Sequence, residues 1–405
     1  MDTPAAGPRS IARHAALCGV ASVLLVFLFQ FLVVRYNYAG NWTSLFCAGD
    51  RWKLPPELAP RTYLFPRSDG YDGQMYRIVA HDPFLAKGYA VYLDTPVMRY
   101  RRILVPMLAW LLGFGRTAWI DPAFIAVILA FTFLGAFWLG LLSAAFGRSP
   151  RWGLLFVMVP STPLSAERMV IDVVPTALCV ALAYCLWRES APGVWLALAS
   201  LQLTRETGIL LVAPCVVFAL LRKDLPKAAL WASALIPAFL WEGFVHWRAP
   251  AGVSQLGAPE WVFRNPELGI LARLFHPPDY PFRPPFAFIG QLLDTLALAG
   301  MIIALVLTAW IVIDVLRKRS FGVVELALVF EFGLFLFINR DLMWVSVWGY
   351  GRLFGILFVL LYWKLAAAKA RRPLALLLAA TALVDLRIAL DFAPKLLGIV
   401  RGLRG

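Results

Sequence analysis

The chain has 405 residues, of which 61% are hydrophobic and only 15% charged, and its mean hydropathy is +0.73. Soluble domains are about half apolar and about a quarter charged, so this composition excludes an ordinary soluble enzyme. The net charge is +14, but the excess sits in short loops between apolar runs (GRSPR, LLRKD, LRKR, KARR); that is the positive-inside pattern next to anionic lipid, and without a basic helix or aromatic platform it excludes nucleic acid as a partner.

The N-terminus, PRSIARH, is basic, and the first apolar run, Ala15–Val34, is long enough for a retained span rather than a cleaved signal. A cytoplasmic start places the next segment, residues 36–115, outside as a long loop. That loop carries SDGYDGQMYRIVAHDPF, residues 68–84, in which Asp-Gly occurs twice. Asp-Gly favours tight turns, because Gly permits positive φ and Asp bonds its own backbone. A turn on a short polar loop is also a way to hold a carboxylate as a general base at the membrane surface. Asp72, set among Tyr71, Met75 and Tyr76, is the first candidate; Asp69 and then Asp82 follow, and turn-building is the alternative for each. The next stretch, YLDTPVMRYRRILVPML, brings Arg99, Arg101 and Arg102 up to a short apolar segment. Arginine forks bind phosphate in a bidentate way, and the plainer reading is snorkelling to headgroups.

Ile103–Gly115 is too short to cross and is read as a surface or re-entrant helix. Pro122–Phe146 is a full crossing that ends at GRSPRW. Crossings are then expected at Trp152–Pro163, Val170–Trp187, Val194–Leu203, Thr207–Leu221 and Ala228–Val245. A second external loop covers residues 246–285, followed by Phe286–Leu316, Val323–Ile338, Tyr350–Trp363 and Leu374–Leu390. The expectation is one integral membrane domain over residues 1–405, all-α and polytopic, with about eleven crossings. The basic tail PKLLGIVRGLRG falls outside by this count, so either it folds back or one short segment does not cross.

Ionisable groups at membrane depth cost roughly 2.5–3.5 kcal/mol each on insertion scales. The chain keeps several: Glu167, Arg168 and Asp172 in LSAERMVID, Arg205 and Glu206 in LQLTRETGI, Arg340 and Asp341 in FINRDLMW, and Arg352 in WGYGRLFG. All fall at outer ends of their spans and so converge on the face that holds the first loop. The bland alternative is interfacial anchoring with internal ion pairs, such as Arg205 with Glu167. Five cysteines show no metal or disulfide spacing; Cys18, Cys179, Cys185 and Cys215 lie in apolar runs, and Cys47 in the polar loop.

An N-in first span, a long outer loop with an early aspartate, a surface helix and many later spans together resemble the GT-C glycosyltransferase superfamily. More closely, NWTSLF, GYDGQMYRIVAHDPF, the D-x-P-x-x-R-Y-x-R-I stretch and LTRETGILLV are similar to bacterial membrane proteins with a GYDGQFYY-like motif. The layout is shared over most of the chain, and the specific motif is the first loop. The resemblance implies a multi-pass inner-membrane enzyme that transfers a sugar from a polyprenyl-phosphate donor to a glycan, lipid or protein acceptor at the periplasmic face. It implies that Asp72 or Asp69 acts on the acceptor. Many relatives carry two adjacent acidic residues, whereas here Gly70 and Tyr71 separate the pair, so both aspartates stay candidates. Substrate contacts are expected from Tyr71, Gln74, Tyr76, Asp82, Arg101, Arg102, Glu167, Arg168, Arg205, Glu206, Arg340 and Arg352, with the arginines offsetting charge on the leaving phosphate. Trp348 and Tyr350 are further stacking candidates. No cofactor is expected; a divalent metal is left open and not indicated. The rival functions are a transporter or flippase of a lipid-linked or anionic substrate, and a non-catalytic partner in glycopolymer assembly.

Overall fold

The computed structural model describes residues 7–249, Arg273, 286–338, 341–344 and 346–404. Most of the expected second loop, residues 246–285, and Arg340 lie outside the described residues. The described chain is helical almost throughout. Six helices are long and apolar enough to cross a membrane: Pro8–Asn37, Thr117–Ala145, Leu225–Arg248, Ala287–Lys318, Val347–Ala367 and Arg371–Arg404. Three apolar helical stretches are shorter, Val173–Trp187, Ala191–Thr204 and Glu206–Leu221. The chain is thus an all-α membrane protein, as its composition requires: with no water in the bilayer core, helices satisfy every backbone polar group internally.

In chain order the helices are α1 (Pro8–Asn37), α2 (Asp72–His81), α3 (Pro96–Arg101), α4 (Leu104–Leu112), α5 (Thr117–Ala145), α6 (Ser161–Arg168), α7 (Val173–Trp187), α8 (Ala191–Thr204), α9 (Ile209–Leu221), α10 (Leu225–Ala232), α11 (Ile236–Arg248), α12 (Phe286–Lys318), α13 (Val323–Phe337), α14 (Asp341–Trp344), α15 (Val347–Ala367) and α16 (Arg371–Arg404). Trp152–Pro163, expected as a crossing, is instead a tight 3-10 stretch, Pro150–Met158, followed by α6. Its two prolines and Gly153 favour a broken path over a regular helix. The tail does not fold back: α16 runs unbroken to Arg404, and Asn37 at the end of α1 donates to the Lys395 carbonyl at 3.1 Å. The C-terminal turns of α16 therefore stand beside the end of α1, where the first loop begins.

That loop has its own small core. Leu58, Met75, Ile78, Val79, Tyr89 and Tyr100 pack together with Val245 of α11. Its one sheet is minimal, a parallel ladder of Ala48–Gly49 with Leu64–Phe65. Asp50 fastens the return, accepting from the backbone N–H groups of Arg67 (2.8 Å) and Ser68 (3.1 Å). One face of α2 is bolted to the start of α5: Arg77 makes a two-pronged ion pair with Asp121, both bonds 2.8 Å, and His81 Nε2 lies 3.0 Å from the same carboxylate. Arg77 is almost fully buried, so this pairing is what makes its charge tolerable there. The opposite face of α2 is free to meet the membrane bundle.

Candidate functional site

The repeated Asp-Gly turns have separate jobs. Gly70 sits at φ +74, the left-handed region that side chains resist, and a Cβ there would lie 2.6 Å from the Cys47 carbonyl oxygen. Gly73 is needed for close approach, since a Cβ on it would lie 2.1 Å from the Arg168 carbonyl oxygen. Gln74 ties the turn together, donating to the Asp69 carbonyl at 2.8 Å and accepting from the Gly49 N–H at 3.1 Å. The first turn of α2 is thereby pressed against the end of α6. Asp72 is the first residue of α2, where the helix dipole favours a negative charge.

Each oxygen of Asp72 takes one guanidinium. Arg99 of α3 donates to Oδ1 at 2.8 Å, and Arg352 of α15 donates to Oδ2 at 2.6 Å. Burial would raise the Asp72 pKa, but Arg352 and Arg99 outweigh it and hold the carboxyl well below the usual carboxylate range. The second prong of Arg352 reaches Asp172, which stands just before α7: Nε donates to Oδ2 at 2.7 Å. Asp172 also accepts from Arg205, at the tip between α8 and α9. Arg205, Asp172, Arg352, Asp72 and Arg99 therefore form one chain of ion pairs drawn from five parts of the sequence. Asp172 is 1% exposed, while Asp72 keeps 24% of its side-chain surface open. Of these two carboxylates, Asp72 is the one open to solvent.

The helices that flank Asp172 and Arg205 are short. α7, α8 and α9 have 15, 14 and 13 residues, or ~20–22 Å of helix against a hydrocarbon core of ~30 Å. Each alone is shorter than a full crossing, and Asp172 and Arg205 stand at the ends of these short helices. Met169, in the left-handed region at φ 45, breaks α6 from α7 and turns Glu167 and Arg168 toward the loop.

Beside Asp72 lies an aromatic and cationic stack. The Arg168 guanidinium is 3.4 Å from the centre of the Trp348 ring and 4.6 Å from that of Tyr71. Tyr71 donates its hydroxyl to the Trp348 carbonyl at 3.1 Å, and the Trp348 indole donates to Asp391 at 2.5 Å. Glu167 accepts from Arg168 at 2.8 Å and from Lys395. Internal ion pairs do form here, with partners other than Arg205–Glu167: Arg205 goes to Asp172, and Glu167 is claimed by Arg168 and Lys395. Beneath Asp72, Tyr76 carries the Arg99 guanidinium 5.2 Å above its ring and accepts from Arg102 at 2.9 Å. Arg102 pairs with Glu206 at 2.9 Å.

Several candidates lie elsewhere. Asp69 is 71% exposed and faces Arg51 at 3.4 Å, pointing away from the network. Asp82 is buried and spends its carboxylate on the backbone N–H groups of Ala86, Lys87 and Tyr89, at 2.7, 3.0 and 3.1 Å. It builds the turn after α2. Arg101 pairs with Glu242 of α11, away from Asp72. Gln74 contributes through the turn geometry and not through an open amide. Among the described residues, no three His, Cys, Asp or Glu side chains gather as a metal site requires.

The network gathers Asp72, Asp94, Asp172, Glu167 and Glu206 against Arg99, Arg102, Arg168, Arg205, Arg352 and Lys395, leaving cations in excess. Arg99 is anchored from behind by a two-pronged pair with Asp94, at 2.8 and 2.6 Å, and its Nη1 is buried with no hydrogen-bond acceptor among the described residues. Such an arrangement suits an anionic group arriving next to an oriented carboxylate. No protein-family model, no curated protein and no solved structure matches the chain.

Proposed function

We propose that the chain is a membrane glycosyltransferase of GT-C type, its polytopic bundle made of the six long apolar helices and the shorter ones between them. It moves a sugar from a polyprenyl-phosphate donor to a cell-envelope glycan, lipid or protein acceptor at the periplasmic face of the inner membrane. The observation that carries this reading is the position of Asp72: a partly open carboxylate on the long loop, held between Arg99 and Arg352. In the proposed step the acceptor oxygen attacks the anomeric carbon, and the carbon–oxygen bond to phosphate breaks with inversion. The hydroxyl proton passes to Asp72, and the electron pair leaves with the lipid phosphate. The excess cations stabilise that developing charge, the contribution that is largest in most such chemistry.

Asp72 is a weak base while two guanidiniums hold it. Its role at the start of the reaction is to orient the acceptor hydroxyl as a hydrogen-bond acceptor, with proton transfer late in the step. Tyr71 and the free edge of Arg168 line the approach. One ring face of Trp348 is covered by Arg168, so any stacking there falls to its opposite face. The test is incubation of the purified chain with labelled polyprenyl-phosphate sugar and envelope acceptors, reading new glycosidic bonds by mass spectrometry.

A second reading rests on the break at Met169 and the buried tip at Arg205. Interrupted helices with charged breaks also serve transporters that carry anionic substrates. A transporter moves labelled lipid across a proteoliposome without forming a bond, which separates the two.

A further inference from the structure

At the other end of the same helices lies a cavity of about 400 Å³. Its walls include Trp187, Phe218, Trp231 and Trp363, with Lys227 and Glu189 at the rim. Trp187 closes α7 and Asp172 precedes it, so the cavity is ~22 Å from the ion-pair chain at 1.5 Å per residue. It belongs to a different site. Lys227 has no acidic partner among the described residues; it lies 5.1 Å above the Trp231 ring. Glu189 likewise has no cationic partner there, whereas the neighbouring Glu325 is paired with Lys364. The Trp231 indole N–H is buried and has no acceptor among the described residues.

We propose that this cavity binds the headgroup of a phospholipid bearing a primary ammonium, the phosphoethanolamine type. An unneutralised lysine and an unneutralised carboxylate at one aromatic cavity match a zwitterion, with phosphate to Lys227 and ammonium to Glu189. Aromatic walls favour a cation by the attraction of ring faces for positive charge. A phosphatidylglycerol headgroup brings no cation for Glu189, and a choline headgroup has no N–H to donate to it. The volume lies within the ~300–1,000 Å³ range of small-ligand pockets, enough for a headgroup and too little for acyl chains. The position fits, because the cavity opens at the ends of apolar helices beside Arg188, Arg222 and Lys223, where headgroups lie.

The proposal is independent of the transferase reading. Its test is native mass spectrometry of the full chain in detergent, titrated with phosphatidylethanolamine, phosphatidylglycerol and phosphatidylcholine at equal concentration. The expected result is a phosphatidylethanolamine adduct favoured by about tenfold. Lys227→Gln and Glu189→Gln each abolish that preference while the thermal melt stays unchanged, since both side chains are exposed. Equal retention of the three lipids, or a preference surviving in both variants, would overturn it. Free phosphoethanolamine bound as tightly as phosphatidylethanolamine would overturn the assignment to a lipid.

Discussion

Arg352 joins Asp72 to Asp172: Nη1 lies 2.6 Å from one carboxylate and Nε 2.7 Å from the other. One guanidinium thus bridges the outer loop and the start of α7, elements 100 residues apart in sequence. Its planar fork does what a single ammonium cannot, because the two prongs point in fixed directions.

Arg352→Lys is therefore expected to fold and to lose at least about tenfold in sugar transfer, because one ammonium cannot serve both carboxylates. Arg352→Ala leaves two poorly exposed carboxylates short of a partner and is expected to cost ~3–5 kcal/mol of stability. Thermal unfolding in detergent, beside the transfer assay, separates the two effects.

Asp72→Asn keeps the shape of the side chain and removes its charge. Transfer is expected to fall by about 10²–10⁴-fold, the usual worth of a positioned acid or base. Asp69→Asn is expected to leave transfer within about twofold, since an exposed pair such as Asp69–Arg51 carries little energy. Equal losses in the two variants would move the active carboxylate off α2.

The pH dependence follows from the direction of the Asp72 shift. Its pKa is depressed in the folded state, so its contribution is fully present above the unfolded value and is lost as pH falls through the folded one. Asp72 stays charged at neutral pH, and its acid limb lies below the usual carboxylate range. Arg99→Gln removes one of the two guanidiniums, so the acid limb of transfer is expected to move to higher pH. A pH–rate profile of wild type and variant checks this.

Gly73→Ala puts a methyl group against the Arg168 carbonyl, 2.1 Å away in the present packing. Backbone must yield, so the variant is expected to lose ~1–3 kcal/mol and to separate α2 from α6. A lower melting temperature together with reduced transfer would follow; an unchanged melt would show that the contact relaxes freely.

Much of this was legible because charge is expensive in an apolar chain. Arg205, Arg352 and Asp172 stood out at the ends of apolar runs, and the Asp-Gly repeat marked the turn that carries Asp72. The choice among Arg99, Arg101 and Arg102 was not legible. Neighbouring residues on a helix point ~100° apart, and no residue pattern sets the phase of six-residue α3. Of the three, the fold brings Arg99 to Asp72. Lys395 sat in a basic tail that reads as solvated charge, and its partner Glu167 is 228 residues away. Asp391 stands in no motif, and Asp94 opens the D-x-P-x-x-R-Y-x-R-I stretch without a role that the sequence assigns; they matter because they hold Trp348 and Arg99. Asp82 reads like Asp72 in sequence, and only the fold shows its oxygens taken up by backbone.

The most direct measurement is formation of a new glycosidic bond by the purified chain in proteoliposomes, from labelled polyprenyl-phosphate sugar, with Asp72→Asn alongside. The account predicts a glycosylated acceptor and released polyprenyl phosphate for wild type, and neither for the variant at matched folding. Labelled lipid crossing the bilayer with no new bond, or equal product from Asp72→Asn, would contradict it.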